Sequence, residues 1–203
     1  MSYFDGPGWE DDPWDRASQS ALFWTIGKDS GDRSGPPVWR TCDHWRQRFD
    51  LENNLSLYAS AWTDRPSKKT RVPRSSLAGP PDIGLYLDSI WASDALIVSR
   101  GLVCPVSHAA EPDLIIFPWR DLSIPEDPAL LRKVLLWLLE EIQEGKMVEI
   151  GCIGGHGRTG TALACLLVLQ GVPGKKAIRR VRRDYCELAI ESKSQLELIK
   201  SFA

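Results

Sequence analysis

The sequence predicts an α/β fold in which a central, mostly parallel sheet is flanked by helices. Two short apolar runs, DLIIFPW (113–119) and MVEIG (147–151), have the length and composition of buried strands. The segment between them, 124–146, carries leucines at helical spacing. The chain order of strand, helix, strand, loop and helix is typical of parallel sheets with helices on their faces.

Each further element rests on its own signal. IGLYLDSIW (83–91) alternates loosely and predicts a strand, whereas DALIVSRG (94–101) fits a strand or a short helix. Asp127 and Pro128 predict the start of the first helix, and Gly145 predicts its end. Three more helices are predicted, at TGTALACLLVLQG (159–171), GKKAIRRVRRDYC (174–186) and SKSQLELIKSF (192–202).

The first part of the chain has weaker patterns. We assign residues 1–81 to an N-terminal extension, rich in Trp and partly irregular, that packs on or caps the core. A short helix is expected around Thr41–Leu51, and the basic, proline-rich stretch 64–81 indicates a connector. The remaining residues, 82–203, are expected to form the main folded domain.

Amino-acid composition and net charge exclude some classes of function. Apolar residues make up 43% of the chain and the net charge is −2, which argues against a general nucleic-acid binder. We find no apolar run of the roughly 18 residues that a membrane helix needs. The five cysteines include no CxxC pair, so we predict neither a metal site nor a cofactor. A reducing, cytoplasmic location is expected.

The stretch CIGGHGRTGT (152–161) combines a glycine-rich turn with a cysteine and an arginine. Its glycines allow the backbone to turn successive N–H groups inward, and the following helix adds its free amides and positive dipole end. Arg158 offers a fork of donors that matches a phosphate group. The loop is therefore predicted to bind phosphate through Ile153, Gly154, Gly155, His156 and Gly157.

Cys152 lies where the predicted strand enters this loop. Inward amides, Arg158 and the helix dipole favour the thiolate, and such settings lower a cysteine pKa to roughly 3.5–7.5. The thiolate would attack phosphorus, and the Thr159 hydroxyl would stabilise the sulfur. The alternatives are a buried structural thiol and a dinucleotide-binding loop, but the second would need neither Cys152 nor Arg158.

The Cys-x5-Arg pattern from Cys152 to Arg158, with Gly155 and Thr159, resembles the signature of the cysteine-dependent protein tyrosine and dual-specificity phosphatases. The similarity covers about residues 82–203, including the arginine-rich helix and the final helix. It implies that these residues form a catalytic domain with a dual-specificity-phosphatase-like fold, and that the reaction passes through a phosphocysteine intermediate. The sequence departs from the family at Gly151, where a histidine is usual.

The resemblance also implies a general acid on a movable loop about thirty residues before the nucleophile. Asp121, within FPWRDLSIPED (117–127), lies in that place and is our candidate. Glu126 and Asp127 are its rivals, although Asp127 is needed as a helix cap. A solvated turn aspartate is the alternative role for Asp121.

Two further positions have looser parallels. Gln195 resembles the glutamine that positions the hydrolytic water, with Glu191 near the other polar position of that motif; a plain surface role is the alternative. His156 faces either the rim of the pocket or solvent. The basic residues of the penultimate helix form either a solvated face or a positive rim, and they are Lys175, Lys176, Arg179, Arg180, Arg182 and Arg183.

The leading prediction is a phosphatase that cleaves phosphotyrosine or phosphoserine/threonine on proteins. The same chemistry could act on an RNA 5′-triphosphate, a phosphoinositide or an inositol phosphate. A third alternative is a pseudophosphatase that binds a phosphorylated partner without turnover. The expected partner is thus a phosphorylated protein or another phosphomonoester; nucleic acid is not expected, although 5′-phosphorylated RNA stays open.

Overall fold

The structure is a computed structural model that describes residue 44 and the ranges 46–61, 81–88 and 113–203. The strands are β1 (Gln47–Asp50), β2 (Ser56–Ala61), β3 (Ile83–Tyr86), β4 (Asp113–Ile116) and β5 (Val148–Cys152). The helices are α1 (Pro128–Gln143), α2 (Gly157–Leu169), α3 (Gly174–Asp184) and α4 (Lys193–Ser201).

The strands form one mostly parallel sheet in the order β1-β2-β5-β3-β4. Only β1, at one edge, runs antiparallel to its neighbour, while the other three pairings of the described strands are parallel. The predicted α/β fold is therefore confirmed. A β-α-β order produces this pattern because parallel strands need a crossover connection between them.

β5 lies in the middle of the sheet and is buried along its whole length. Its last residue, Cys152, is paired with Ala61 at the end of β2, and Gly151 is paired with Tyr86 at the end of β3. The carboxyl ends of three neighbouring strands therefore meet at one edge of the sheet. This edge is where α/β folds place their ligand sites.

Helix α1 begins and ends as its sequence predicts. The Asp127 side chain accepts a hydrogen bond of 2.9 Å from the Leu130 amide, and Pro128 occupies the first helical position. Gly145, just beyond the helix, has a φ of +90°, which a glycine adopts at low cost. The side chains buried on one face follow the expected spacing and are Leu131, Val134, Leu135, Leu138, Leu139 and Ile142.

Helix α2 is the central helix of the fold. Its residues are buried from Gly157 to Val168, and it packs against β5 and against the other three helices. A helix that is apolar all round must be enclosed in this way. Because α2 starts directly after the loop that follows β5, this packing holds the loop between a rigid strand and a rigid helix.

The helix predicted around Thr41–Leu51 is wrong for the described part of that range. Gln47–Asp50 form strand β1, with Phe49 buried in the core and its neighbours Arg48 and Asp50 exposed. Pairing with β2 provides every residue of this short segment with a partner, and such tertiary context overrides a weak local preference for helix.

Strands β1 and β2 both lie within residues 1–81, and they belong to the same sheet as β3 to β5. The boundary at residue 82 stays a prediction. The Trp-rich segment 1–43, most of the connector 64–81, and the apolar run 94–101 lie outside the described residues. Within the described ranges, none of the helices is long and apolar enough to cross a bilayer.

Candidate active site

The loop after β5 folds back onto its own cysteine. The Gly155 amide donates a hydrogen bond of 3.2 Å to the Cys152 sulfur. Gly155 has a φ of +74°, and a Cβ atom there would lie 2.9 Å from the His44 Cβ and 3.0 Å from the Ala61 Cβ. Both the conformation and the space therefore require glycine at this position.

The thiol of Cys152 is enclosed, and this affects its ionisation. Burial raises its pKa, while the Thr159 hydroxyl, the Arg158 charge and the amides of Thr159 and Gly155 lower it. Burial has the larger effect, so the pKa lies above its ordinary value. This direction is opposite to the one that the sequence predicts, because the favourable charges can be located in the sequence, whereas the loss of water on burial cannot.

Arg158 is buried, with 2% of its side chain exposed, and it reaches across to two other strand ends. Its Nη1 donates to the Asp88 carboxylate at 2.5 Å, to the Trp119 carbonyl at 2.7 Å and to the Leu87 carbonyl at 3.3 Å. Its Nη2 lies 3.2 Å from the Asp121 carboxylate. The guanidinium thus joins the loop after β5 to the segments that follow β3 and β4.

Asp88 is a member of this site that sequence reasoning missed. It lies two residues beyond the end of β3, within a stretch whose sequence pattern predicts only a strand. The available signal was an acidic side chain directly after a buried strand, at the edge where parallel sheets place their ligands. Only the structure shows that Arg158 lies at the same edge and contacts Asp88.

Asp121 lies at the site but remains largely exposed, at 65% of its side chain. The structure places it beside the Arg158 guanidinium, whereas its rival Asp127 caps α1. An exposed carboxylate at the mouth of a buried site is accessible to a bound substrate. The arrangement is compatible with a proton donor on a surface loop.

Glu191 contacts the start of α2 directly, a contact that its position in the sequence does not predict. Its carboxylate accepts a hydrogen bond from the Gly157 amide, at the start of α2. Burial and the nearby charge of Asp121 raise its pKa to about 7, although Arg158 and the Gly157 amide favour the charged form. Glu191 therefore interacts electrostatically with both Asp121 and Arg158.

The segment that carries Glu191 is held by a buried arginine. Arg182 donates hydrogen bonds of 3.0 Å to the carbonyls of Ala189 and Ile190. Ile190 has a φ of +66°, which is unfavourable for a β-branched residue. Arg182 therefore belongs neither to a solvated face nor to a positive rim, which were the two alternatives for the basic residues of α3.

Arg180, on the same helix, also has internal partners. Its guanidinium pairs with the Glu52 carboxylate and donates a hydrogen bond of 2.8 Å to the Asp50 carbonyl. Both partners lie in β1 or directly after it. The basic residues of α3 thus divide into structural arginines and exposed ones such as Arg179.

Gln195 is fully buried and is not a surface residue. Its Oε1 accepts a hydrogen bond of 2.8 Å from the Glu191 amide and one of 3.3 Å from the Ser192 amide, as part of a capping box. Its Nε2 would lie 3.1 Å from a Cβ atom at Gly157. The amide donor therefore faces the first turn of α2.

The buried polar atoms of this site that have no hydrogen-bond partner among the described residues include Arg158 Nε and Gln195 Nε2. A buried N–H group without a partner costs about 1–3 kcal/mol. Such donors indicate a place for a bound group that accepts hydrogen bonds, such as an anion or a water molecule.

His156 packs against neighbouring side chains, whereas the sequence predicts that it faces either the rim of the pocket or solvent. It is half-buried, its ring meets the His44 ring at 4.6 Å, and its Nδ1 lies 3.2 Å from the Cys186 sulfur. The Tyr185 hydroxyl donates a hydrogen bond of 2.6 Å to the Gly155 carbonyl. The outer wall of the loop thus packs against the segment that follows α3.

Sequence comparison identifies relatives of the second half of the chain. Residues 117–201 match the family model described as PTP-SAK: Swiss Army Knife protein, DSP-PTPase phosphatase domain. The uncharacterized protein MJECL20 of Methanocaldococcus jannaschii is 39% identical over 87 residues, which are 42% of this chain and 56% of that protein. The chain thus spans about half the length of the curated relatives that it matches.

Solved structures share the fold. A mutant form of Tk-PTP superposes with a TM-score of 0.54 and 21% identity, covering 78% of this chain and 95% of that one. A kinase associated phosphatase, crystallised with serine in place of its catalytic cysteine, has a TM-score of 0.54 and 19% identity, covering 73% and 86%. The resemblance predicted from the sequence is therefore confirmed as a similarity: residues 117–201 match a dual-specificity-type phosphatase domain, and the described fold is shared with these solved structures.

Proposed function

We propose that this chain hydrolyses phosphomonoesters through a phosphocysteine intermediate on Cys152. One observation carries the proposal. The buried donors Arg158 Nε and Gln195 Nε2, which have no partner among the described residues, lie in the same site as a cysteine at the end of a central strand. A phosphoryl group offers the acceptor oxygens that Arg158 needs, and a water molecule fits Gln195.

In the first step, the Cys152 thiolate attacks phosphorus and the bond to the leaving oxygen breaks. Asp121 gives its proton to that oxygen, so the alcohol leaves neutral. Arg158 and the amides of the loop 153–157 bind the equatorial oxygens of the phosphoryl group. The exposure of Asp121 supports this role, because the leaving group must reach solvent.

In the second step, water attacks the phosphocysteine and Asp121 takes a proton from it. The bond between phosphorus and sulfur breaks, the thiolate is restored, and inorganic phosphate leaves. Gln195 supports this step through its Nε2 donor at the start of α2, and Thr159 through a hydroxyl that lowers the pKa of the leaving thiol. While substrate is bound, the phosphoryl oxygens replace the carboxylates of Asp88 and Asp121 as acceptors of the Arg158 hydrogen bonds.

Phosphorylated tyrosine, serine or threonine on proteins is the proposed substrate. The competing substrates are an RNA 5′-triphosphate, a phosphoinositide or an inositol phosphate, because the same loop binds any terminal phosphate. A phosphopeptide panel and these three compounds, tested at equal concentration, distinguish them by kcat/KM. A reducing, cytoplasmic location is proposed because Cys152, as the proposed nucleophile, must stay a reduced thiol, and cell fractionation tests it.

A second candidate function is phosphate binding without turnover. Two observations favour it: burial raises the pKa of Cys152, and Asp88 occupies the Arg158 guanidinium. A binding module needs the arginine but not the thiolate. Activity of the purified protein separates the two functions, since only an enzyme releases phosphate.

The deciding experiment measures hydrolysis of an aryl phosphate between about pH 5 and 8 by the wild type and by Cys152→Ser. We expect Cys152→Ser to lose at least about 10³-fold in kcat. Cys165→Ser is the matched control, because Cys165 is equally buried but lies within α2, beyond the loop. Full activity in Cys152→Ser contradicts the mechanism, and an inactive wild type contradicts the enzyme.

Asp121→Asn tests the proton donor. We expect a loss of about 10²–10⁴-fold on an alkyl phosphate, whose leaving oxygen needs the proton. The loss should be much smaller on an aryl phosphate with an acidic leaving group. Equal losses on both substrates would assign Asp121 to another role.

A further inference from the structure

Three side chains with metal-binding atoms lie together beside the phosphate-binding loop. They are His44, His156 and Cys186, and their ligand atoms are all within 4.8 Å of one another. The His156 Nδ1 and the Cys186 sulfur are 3.2 Å apart, and the two imidazole rings are 4.6 Å apart. We propose that these three residues bind a Zn²⁺ ion.

The three residues come from separate parts of the chain. His44 precedes β1, His156 is the residue before α2, and Cys186 follows α3. The prediction of no metal site rested on the lack of a CxxC pair, which is a local pattern. Only the packing of the loop against the segment after α3 brings these ligands together.

The chemistry of the donors favours zinc. Imidazole nitrogens and thiolates are both ligands of Zn²⁺, and a site with three protein ligands leaves a fourth position open. With Zn–N of about 2.0–2.1 Å and Zn–S of about 2.3 Å, tetrahedral geometry separates N and S by about 3.5 Å. The observed 3.2 Å between the His156 nitrogen and the Cys186 sulfur is close to this value.

The surroundings orient the ligands. His44 Nδ1 lies 3.4 Å from the Gln47 Oε1, so an Nδ1–H that donates to this oxygen leaves Nε2 with its lone pair. The Tyr185 ring covers the other side of His44 at 4.9 Å. His44 and Cys186 are buried while His156 is half-buried, so an ion enters from the His156 side.

A bound ion would affect the neighbouring loop. His156 belongs to that loop, and the His44 Cβ limits the space above Gly155. Zinc would therefore tie the loop to the segment before β1 and to the segment after α3. The alternative is that Cys186 and His156 form only an ordinary hydrogen bond, which needs no ion.

Cobalt spectroscopy tests the site without reference to catalysis. Untagged, reduced, metal-stripped protein is titrated with Co²⁺, and we expect a thiolate-to-cobalt charge-transfer band that saturates at one equivalent and disappears on adding Zn²⁺. Cys186→Ala should lose the band, and His156→Asn should weaken Co²⁺ binding at least tenfold. Cys152→Ser and Cys165→Ser are the matched cysteine controls and should keep it.

Each outcome decides the proposal. A wild type without the band overturns it, as does a band that survives in Cys186→Ala. Loss of the band in Cys152→Ser would place the ion at the proposed nucleophile and would also overturn it. If Cys186→Ala does not fold by circular dichroism, X-ray absorption of the zinc-loaded wild type replaces it: a shell with two nitrogens and one sulfur supports the site, and a shell without sulfur contradicts it.

Discussion

At the scale of single residues, the site combines opposing electrostatic effects. Cys152 is buried beside a charged arginine, and the same arginine is shared by Asp88 and Asp121. The pKa of the thiol therefore reflects lost hydration more than the favourable charge nearby. The proposed reactivity of Cys152 then depends on how a bound phosphoryl group redistributes the contacts of Arg158.

Glu191 should make the stability of the protein depend on pH. Its pKa rises from 4.5 to about 7 on folding, so the folded state retains a proton that the unfolded state releases. This contribution is complete below pH 4.5 and is lost as pH rises to about 7. The difference corresponds to a free energy of unfolding on the order of 3 kcal/mol.

We therefore expect the stability of wild type, relative to Glu191→Gln, to fall between pH 5 and pH 8. Urea unfolding of both proteins at the two pH values measures it. Glu197→Gln is the control, because Glu197 lies on the exposed face of α4. Stability curves of wild type and Glu191→Gln that stay parallel across this range would show that Glu191 is not buried as described.

Gly155 and Gly145 provide a matched test of the loop. Both have positive φ, but a Cβ atom at Gly145 meets nothing within 4 Å, whereas one at Gly155 meets His44 and Ala61. Gly145→Ala should cost about 1 kcal/mol of unfolding free energy from backbone strain. Gly155→Ala should cost about 2–4 kcal/mol, because overpacking adds to the strain. Equal costs in urea unfolding would contradict the close approach of His44.

At the scale of elements, the connection before α1 holds one aspartate with a structural role and one that is the proposed general acid. Asp127 caps the helix and Asp121 contacts Arg158. Both lie in the same short connection between β4 and α1, and local sequence alone does not distinguish their roles. The difference arises from where each side chain points after the strand ends.

Asp127→Ala should lower the free energy of unfolding by about 1 kcal/mol, because the Leu130 amide loses its acceptor. Its hydrolysis of an aryl phosphate should match that of the wild type. Asp121→Ala should lose hydrolysis activity but change stability little, because the Asp121 side chain is mostly exposed. The pair is measured by thermal unfolding and initial rates; reduced activity in Asp127→Ala would reopen the choice of general acid.

At the scale of the whole molecule, the sheet joins segments that the sequence divides. β2 is hydrogen-bonded to β5 in the register Ala61 to Cys152, so the strand that carries the proposed nucleophile depends on residues before position 82. Phe49 and Leu57, from β1 and β2, belong to the same core as the helices. The sheet therefore forms across the predicted boundary.

A fragment of residues 82–203 should consequently lack cooperative unfolding, because β5 loses one neighbour and the core loses two strands. Residues 44–203, which retain all five described strands, are the comparison. Circular dichroism during urea titration measures both fragments. A fragment 82–203 that unfolds cooperatively at the midpoint of the longer one would support the predicted boundary.

The sequence by itself determined the elements from β3 onward, the mostly parallel sheet and the loop from Cys152 to Arg158. These follow from periodicity, helix caps and glycine spacing, which are local properties of the chain. It did not determine the strand at Gln47–Asp50, since four residues have too little pattern to outweigh a weak helical signal.

Only the tertiary structure decided which distant side chains meet. Asp88 reaches Arg158, Glu191 reaches the Gly157 amide, and His44 reaches His156 because the sheet order and the packing of α2 bring separate segments together. Tertiary packing also decides the burial of Cys152, because the loss of water around a thiol depends on all the residues that surround it. Local pattern therefore predicted the phosphate loop, and packing decided the electrostatic environment of its cysteine.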